Sequence, residues 1–162
     1  MAQIFINYRR EGGAYAAALL DELLSGRFGR EAVFRAARSI APGSDYSESI
    51  LEAAGSCAVM LTVVDSGWQE KFISGRSGRP IMHDWVVREI EEAFKRGARV
   101  IPVLLSGVDR LNEAHLPESL TRVARLQYLR FDYRNIRQDI DFIAEQLVRV
   151  CPEIRGSQEN GN

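Results

Sequence analysis

Five short apolar runs recur along the chain, at residues 4–8, 32–34, 57–64, 100–105 and 126–131, with helical patterns between them. Each run is continuous rather than alternating. A strand with one face in water alternates apolar and polar residues, so an unbroken run predicts a strand buried on both faces. Parallel sheets meet that condition because their crossover helices cover both sides. Helical spacing fills the gaps: Ala16, Leu20, Leu23 and Leu24; Tyr46, Ile50, Ala53 and Ala54; Val86, Ile90, Ala93 and Phe94; Ile136, Ile140, Ile143 and Leu147. Asp45 followed by Glu48 resembles a capping box. Gly97 is placed to end the third helix, and Pro152 the last. Residues 106–125 are ambiguous, with Pro117 placed to open a short helix. The alternation predicts an α/β domain of flavodoxin-like type: a five-stranded parallel sheet of order 2-1-3-4-5 with helices on both faces. Pro102 falls inside the fourth run. Its missing N–H costs a ladder bond, so a bulge or local irregularity is expected there.

The 162 residues suit one domain over 1–151, since domains cluster at about 100–150 residues. Residues 152–162 read as a polar tail or as the start of a linker. Lys plus Arg number 21 and Asp plus Glu 22, a net charge of −1. That lacks the basic excess of a nucleic-acid binder. Two cysteines, Cys57 and Cys151, cannot make a disulfide framework or a four-thiolate zinc site. Two histidines, His83 and His115, lie too far apart in sequence to imply a metal centre. No signal peptide is visible, and no apolar run approaches the ~18 residues needed to span a membrane. The expected setting is the cytoplasm.

Open parallel sheets bind ligands beyond the carboxyl ends of their strands, where the strand order reverses. Here that place lies between the first and third strands, bordered by the loops at 8–14, 65–80 and 35–44. The first loop reads Tyr8-Arg9-Arg10-Glu11-Gly12-Gly13. Its two guanidiniums either pair with phosphate oxygens or form a solvated charged turn. Neither G-x-G-x-x-G nor G-x-x-x-x-G-K-[ST] is present, and the glycines Gly75 and Gly78 fit neither spacing. Asn7 and Tyr8 stand where a phospho-receiver domain would carry acids, so Asp65 lacks partners for a metal. Trp68 is either a buried anchor or a pocket wall. Cys57 reads as a core residue, and His83 as a neighbour of a helix cap.

The third helix is the most informative. Glu91 is spaced to pair with Lys95, and Glu92 with Arg88 or Arg96. Glu89 has no such cation; its helical neighbours are Trp85, Val86, Glu92 and Ala93. A lone carboxylate beside an indole is a candidate for chemistry. The competing reading is an ordinary surface glutamate.

Four segments together resemble the TIR (Toll/interleukin receptor) domain family, in its bacterial form. Phe5-Ile6-Asn7-Tyr8-Arg9-Arg10 resembles the family's opening F-I-S-Y-R-R. Val33-Phe34, followed by Ser39-Ile40-Ala41-Pro42-Gly43, resembles its second strand and BB loop. Asp84-Trp85-Val86-Val87-Arg88-Glu89-Ile90 resembles D-W-V-x-x-E-I. Arg99-Val100-Ile101-Pro102-Val103 resembles its fourth strand, proline included. The likeness spans residues 2–150.

The resemblance implies a flavodoxin-like fold and cleavage of NAD⁺ at the nicotinamide–ribose bond, giving ADP-ribose or its cyclised form. NAD⁺ is then substrate, and no cofactor or metal is implied. Glu89 matches the catalytic glutamate. Tyr8, Arg9, Arg10, Phe34, Asp84 and Trp85 match the substrate-binding positions. The BB-like loop, Arg38, Ser39, Ile40, Ala41, Pro42 and Gly43, implies self-association into a homo-oligomer or filament, with Ile40 and Pro42 at the apolar tip. A sensor domain beyond the C-terminus and a role in antiviral defence or NAD-based signalling are further implications. Other members of the family are non-catalytic scaffolds. Two positions depart from the pattern: Ala36 stands where relatives often carry Asp, and Arg38 where many carry an acid.

Overall fold

The computed structural model describes residues 2–73 and 84–154. Five strands, β1 (Ile4–Asn7), β2 (Val33–Phe34), β3 (Val59–Val64), β4 (Arg99–Leu105) and β5 (Leu129–Phe131), pair in the order β2-β1-β3-β4-β5, all parallel. This is the flavodoxin-like topology that the alternating runs predict. The helices are α1 (Arg10–Phe28), α2 (Ala36–Ser39), α3 (Tyr46–Ser56), α4 (Glu70–Ile73), α5 (Trp85–Lys95) and α6 (Ile136–Val150).

Successive strand residues face opposite sides, which divides the core in two. Ile4, Ile6, Leu61, Val63 and Val103 pack under α1 and α6. Phe5, Met60, Val64, Val100 and Leu104 pack under α3 and α5. Each fully buried large apolar side chain contributes roughly 1.5–3 kcal/mol, so the two layers tie every helix of substantial length to the sheet. The apolar runs overreach the strands. β2 keeps two residues, and β5 opens at Leu129 rather than at 126.

Pro102 causes no bulge. The β3–β4 ladder runs without a break from Val59↔Arg99 to Val64↔Leu104, with Pro102 opposite Thr62. Pairing with β5 begins only at Val103. The irregularity expected from the missing N–H is thereby avoided, because the proline lies before β4 acquires its second neighbour. The ambiguous stretch contains a 3₁₀ segment over Glu118–Arg125, opened by Pro117. Asp45 caps α3, its carboxylate accepting the Glu48 N–H at 2.8 Å. Gly97 follows α5 at φ +82°. The packed chain reaches past the expected boundary at 151, since Ile154 is wholly buried beside α1 and α6. Gly75, Gly78, His83 and residues 155–162 of the tail lie outside the described residues.

Candidate active site

Strand order reverses between β1 and β3, and the buried polar side chains among the described residues, Asp21 of α1 apart, gather around their carboxyl ends. Asn7 and Thr62 are wholly buried, while Arg9, Asp65 and Glu89 are each less than a tenth exposed. The buried side-chain polar atoms that lack a hydrogen-bond partner among the described residues are Asn7 Oδ1, Arg9 Nε and Nη2, Thr62 Oγ1, Asp65 Oδ2 and Trp68 Nε1. All belong to β1, β3 or the loops that follow them. An unmet buried polar group costs roughly 1–3 kcal/mol, so a cluster of them marks a place kept polar for something other than the fold.

Glu89 enters from the second turn of α5 and is 8% exposed, so it is not an ordinary surface glutamate. Burial pushes its carboxyl up to about 8; the Asn7 amide pulls the other way, and the charge of Asp84 adds to the rise. Asn7 also donates from Nδ2 to the Val86 carbonyl at 3.4 Å, linking the end of β1 to the first turn of α5.

Asp84 caps that turn. One oxygen accepts the Val86 N–H at 3.0 Å, and the other takes Arg9 Nη1 at 2.8 Å. The Arg9 guanidinium lies 4.7 Å from the Phe72 ring centroid and 5.9 Å from that of Trp68, a cation–π cage. The two adjacent arginines therefore do not act as a pair: Arg9 is caged inside, while Arg10 is solvent-exposed at the start of α1. Trp68 is fully buried, the anchor rather than a pocket wall.

Gly12 kinks α1 at φ +91°, and a Cβ there would sit 2.8 Å from Asp65 Oδ1. Only glycine allows both the left-handed backbone and the close approach. Asp65 turns its other contact inward along its own loop, accepting the Gly67 N–H at 2.9 Å. A Lys71–Glu11 ion pair at 3.2 Å joins α4 to the same loop.

Trp85 is half-buried. Arg88 covers its ring at 4.4 Å, and Tyr46 meets it edge-on at 6.2 Å. Arg88 is thus drawn to the indole, and Glu92 takes Arg96 at 3.9 Å. Tyr8 is half-buried and packs toward α1. Phe34 is a core residue, stacked on Phe5 with centroids 5.0 Å apart. A groove of about 620 Å³ on the outer side of α5, lined by Leu51, Arg88, Glu91, Glu92, Phe94 and Lys95, lies on a different face of the helix from Glu89.

The BB-like loop has a tightly held root and an exposed tip. Asp21, 2% exposed on α1, accepts Arg38 through both oxygens at 2.7 and 2.8 Å and Arg35 Nε at 2.8 Å. Burial raises the Asp21 carboxyl, but the Arg38 and Arg35 hydrogen bonds outweigh it and hold the group below its ordinary value. Arg38 also donates to the Val33 carbonyl at 2.8 Å. The Ser39 hydroxyl accepts the Arg35 N–H at 3.0 Å. Arg38 and Ser39 are therefore spent within the loop, and Ile40 packs half-buried against the core rather than at the tip. Ala41, Pro42 and Gly43 are exposed. The Ser44 N–H returns to the Ala41 carbonyl at 3.1 Å, with Gly43 at φ +89°. Proline followed by a positive-φ glycine is the arrangement of a type II turn.

Asn7, Asp21 and Tyr46 were not among the residues expected from sequence. Asn7 was visible as the polar residue in an otherwise apolar buried strand. Asp21 carried no comparable signal, because its partners lie 14 and 17 residues away in an irregular segment.

No group of three or more His, Cys, Asp or Glu among the described residues is arranged to hold a metal ion. No helix among them is long and apolar enough to cross a membrane.

Fold and site together define an open α/β domain that buries a carboxyl and a caged guanidinium beside its topological switch point. The chain belongs to the TIR domain family, whose profile matches residues 4–148. No characterised protein sequence matches it closely enough to count as a relative. Among the solved structures that share the fold are three TIR-containing proteins. The TIR domains of the activated Roq1 resistosome, which directly recognises the pathogen effector XopQ, superpose with a TM-score of 0.63 at 15% identity, over 92% of this chain and 98% of that one. The TIR domain of the Toll-related receptor TRR-2 from Hydra magnipapillata gives 0.56 at 17%, over 96% and 99%. A TIR-STING receptor from C. gigas, in complex with 2′,3′-cGAMP, gives 0.60 at 18%, over 90% of this chain and 39% of that one.

Proposed function

We propose that this domain is an NAD⁺ nucleosidase, cleaving the nicotinamide–ribose bond and releasing nicotinamide with ADP-ribose or its cyclised form. The observation that carries the reading is Glu89: a buried carboxyl on α5, beside the switch point and within the D-W-V-x-x-E-I motif. Most glycoside cleavage needs two carboxyl groups, one of them an acid for the leaving oxygen. Nicotinamide leaves as a neutral base from a cationic pyridinium, so no proton donor is required. A single ionised carboxylate can face the developing ribosyl cation and accept hydrogen bonds from the ribose hydroxyls.

The pyridinium charge also favours ionised Glu89 on binding, offsetting the burial that otherwise keeps it protonated. Trp85 offers a partly open indole for stacking. Arg9 offers its unpaired Nε and Nη2 edge, and exposed Arg10 a second cation, for the pyrophosphate. Tyr8 borders the same loop. Asp84 holds Arg9 and the α5 cap, and Phe34 supports the floor from within the core. Attack by water gives the hydrolysed product; attack by the substrate's own adenine gives the cyclic one.

Activity is assigned to self-associated domains in contact through the exposed turn at Ala41, Pro42 and Gly43, in a homo-oligomer or filament. The proposed setting is the cytoplasm, in antiviral defence or NAD-based signalling, under a sensor domain beyond the C-terminus. Incubation with NAD⁺ and chromatography of the products, at low and high protein concentration, tests the reading. Cleavage is expected to rise faster than linearly with concentration and to vanish in Glu89→Gln with the fold intact. Full activity in that variant refutes the assignment. A second reading, a non-catalytic scaffold, is favoured by Ala36, which stands where relatives often carry Asp. It predicts assembly without any turnover.

A further inference from the structure

We propose that Arg88 is a specificity-determining residue that competes for the Trp85 indole: its guanidinium covers the ring, gives way to a flat aromatic cation, and reclaims the ring from a neutral one. The inference rests on the NAD⁺-cleaving reading, in which the flat cation is the pyridinium, and adds a residue to which that reading gives no part.

Trp85 opens α5, and its indole packs half-buried against the core under α3 and α5. Tyr46, at the start of α3, meets an edge of the ring, with centroids 6.2 Å apart and planes at 85°. The Arg88 guanidinium lies over the ring, 4.4 Å from its centroid. A ligand that stacks on this indole therefore has to move Arg88. The contact is exchangeable: Arg88 is solvent-exposed, forms no ion pair among the described residues, and an exposed cation–π contact is weak. The guanidinium also has somewhere to go. Glu91 and Glu92 follow at three and four residues, the spacing at which helix side chains meet, and with Arg88 they line the groove of about 620 Å³ on the outer side of α5. Glu92 reaches its present partner, Arg96, only at 3.9 Å. Swinging from the indole to these carboxylates exchanges one weak contact for another and uncovers the ring.

The face of an indole is negative and holds a cation better than a neutral ring. A pyridinium replaces Arg88 as one cation replaces another, whereas a neutral ring has to displace it by stacking alone. Cleavage then reverses the balance. The bonding pair of the nicotinamide–ribose bond stays on the ring nitrogen, the ribosyl carbon is taken by water, with loss of a proton, or by the substrate's own adenine, and nicotinamide becomes neutral. Arg88 keeps its charge, is now the better ligand for the indole, and helps the product leave. Glu89 follows Trp85 by four residues, on the same side of the helix and about 6 Å along its axis, so the ring and the carboxyl fall within reach of one substrate.

The test is a ¹H–¹⁵N NMR titration of the full chain that follows the Trp85 indole N–H, assigned by its loss in Trp85→Phe. The probes are 1-methylnicotinamide, a pyridinium without a ribose, and neutral nicotinamide. Wild type should bind the cation about two- to fivefold more tightly than the neutral ring. Arg88→Gln, which removes the competitor from an exposed position, should bind each probe about two- to fivefold more tightly than wild type does. Arg88→Lys, which keeps a cation at the same place, should return to the wild-type affinities. Any one of four results overturns the inference: no shift of the Trp85 signal with either probe, no gain in Arg88→Gln, the same gain in Arg88→Lys, or a neutral ring bound as tightly as the cation. Absence of NAD⁺ cleavage in wild type refutes the proposed function, while the titration, which needs no turnover, still decides the role of Arg88.

Discussion

Replacing Glu89 by glutamine should make the protein more stable at pH 8 than at pH 4.5, relative to wild type. Burial raises the carboxyl from its ordinary 4.5 to about 8. The native state therefore holds a proton across that interval that the unfolded chain has released. Where the native state binds more protons, raising pH favours unfolding. The contribution of Glu89 is fully present below the unfolded value and is lost as pH rises through the folded one. At about 1.36 kcal/mol per pH unit, the interval from 4.5 to about 8 amounts to roughly 5 kcal/mol. That is a large share of a typical domain stability of about 5–15 kcal/mol. Glutamine has nearly the same shape and no proton to lose. Urea denaturation of both proteins at half-unit steps from pH 4 to 9 measures the effect. The stability difference should be flat below about pH 4.5, rise steadily in favour of glutamine, and level off near pH 8. Parallel curves across the whole range would refute the reasoning, because they would mean that Glu89 ionises as freely in the fold as outside it.

Asp21→Ala should cost about 3 kcal/mol by leaving two guanidiniums without their shared carboxylate, read by denaturant melts, and should raise hydrogen exchange across residues 35–44. Wild type should lose the Asp21 contribution as pH falls through that group's depressed folded value, because the carboxylate is stabilised only while charged; the melts of Asp21→Ala should lack that acid-side slope. Gly12→Ala should destabilise by roughly 1–3 kcal/mol through its left-handed backbone, with Asp65→Ser relieving the part due to the contact at 2.8 Å; thermal melts of the single and double variants separate the two effects. Pro42→Asp should leave the monomer's melting curve within about 0.5 kcal/mol of wild type and flatten the concentration dependence of activity, measured by NAD⁺ turnover over a dilution series.

The sheet was legible because continuous apolar runs and helical spacing are local signals, and parallel strands leave both in the sequence. Pro102 escapes the local rule because its tolerance depends on where β5 starts, at Leu129, 27 residues away. Glu89 was legible through the absence of a cation at helical spacing. Its burial was not, since that depends on how α5 packs against the sheet. Arg9 and Arg10 are adjacent in sequence and alike in chemistry, yet one is caged by Asp84, Phe72 and Trp68 and the other is solvated. Nothing local separates them. Arg38 and Ile40 were placed at a contact surface by motif alone, whereas Asp21 and the core claim them for the loop's own root.

The turn at the tip of that loop has a consequence for how the domain meets a partner. Its chain is fixed at Arg38 and Ser39 on one side and at the Asp45 cap on the other. Five residues lie between, a contour of about 17 Å at full extension, and the Ala41–Ser44 hydrogen bond closes even that into a knuckle. A knuckle cannot reach or wrap. It projects well under about 9 Å and presents little more than Pro42 and its immediate neighbours, far short of the roughly 800 Å² that each partner of a stable complex buries. Because its shape is set beforehand, docking costs little ordering entropy. The loop is thus suited to select a matching hollow, and the strength of any assembly must come from other surfaces of the domain.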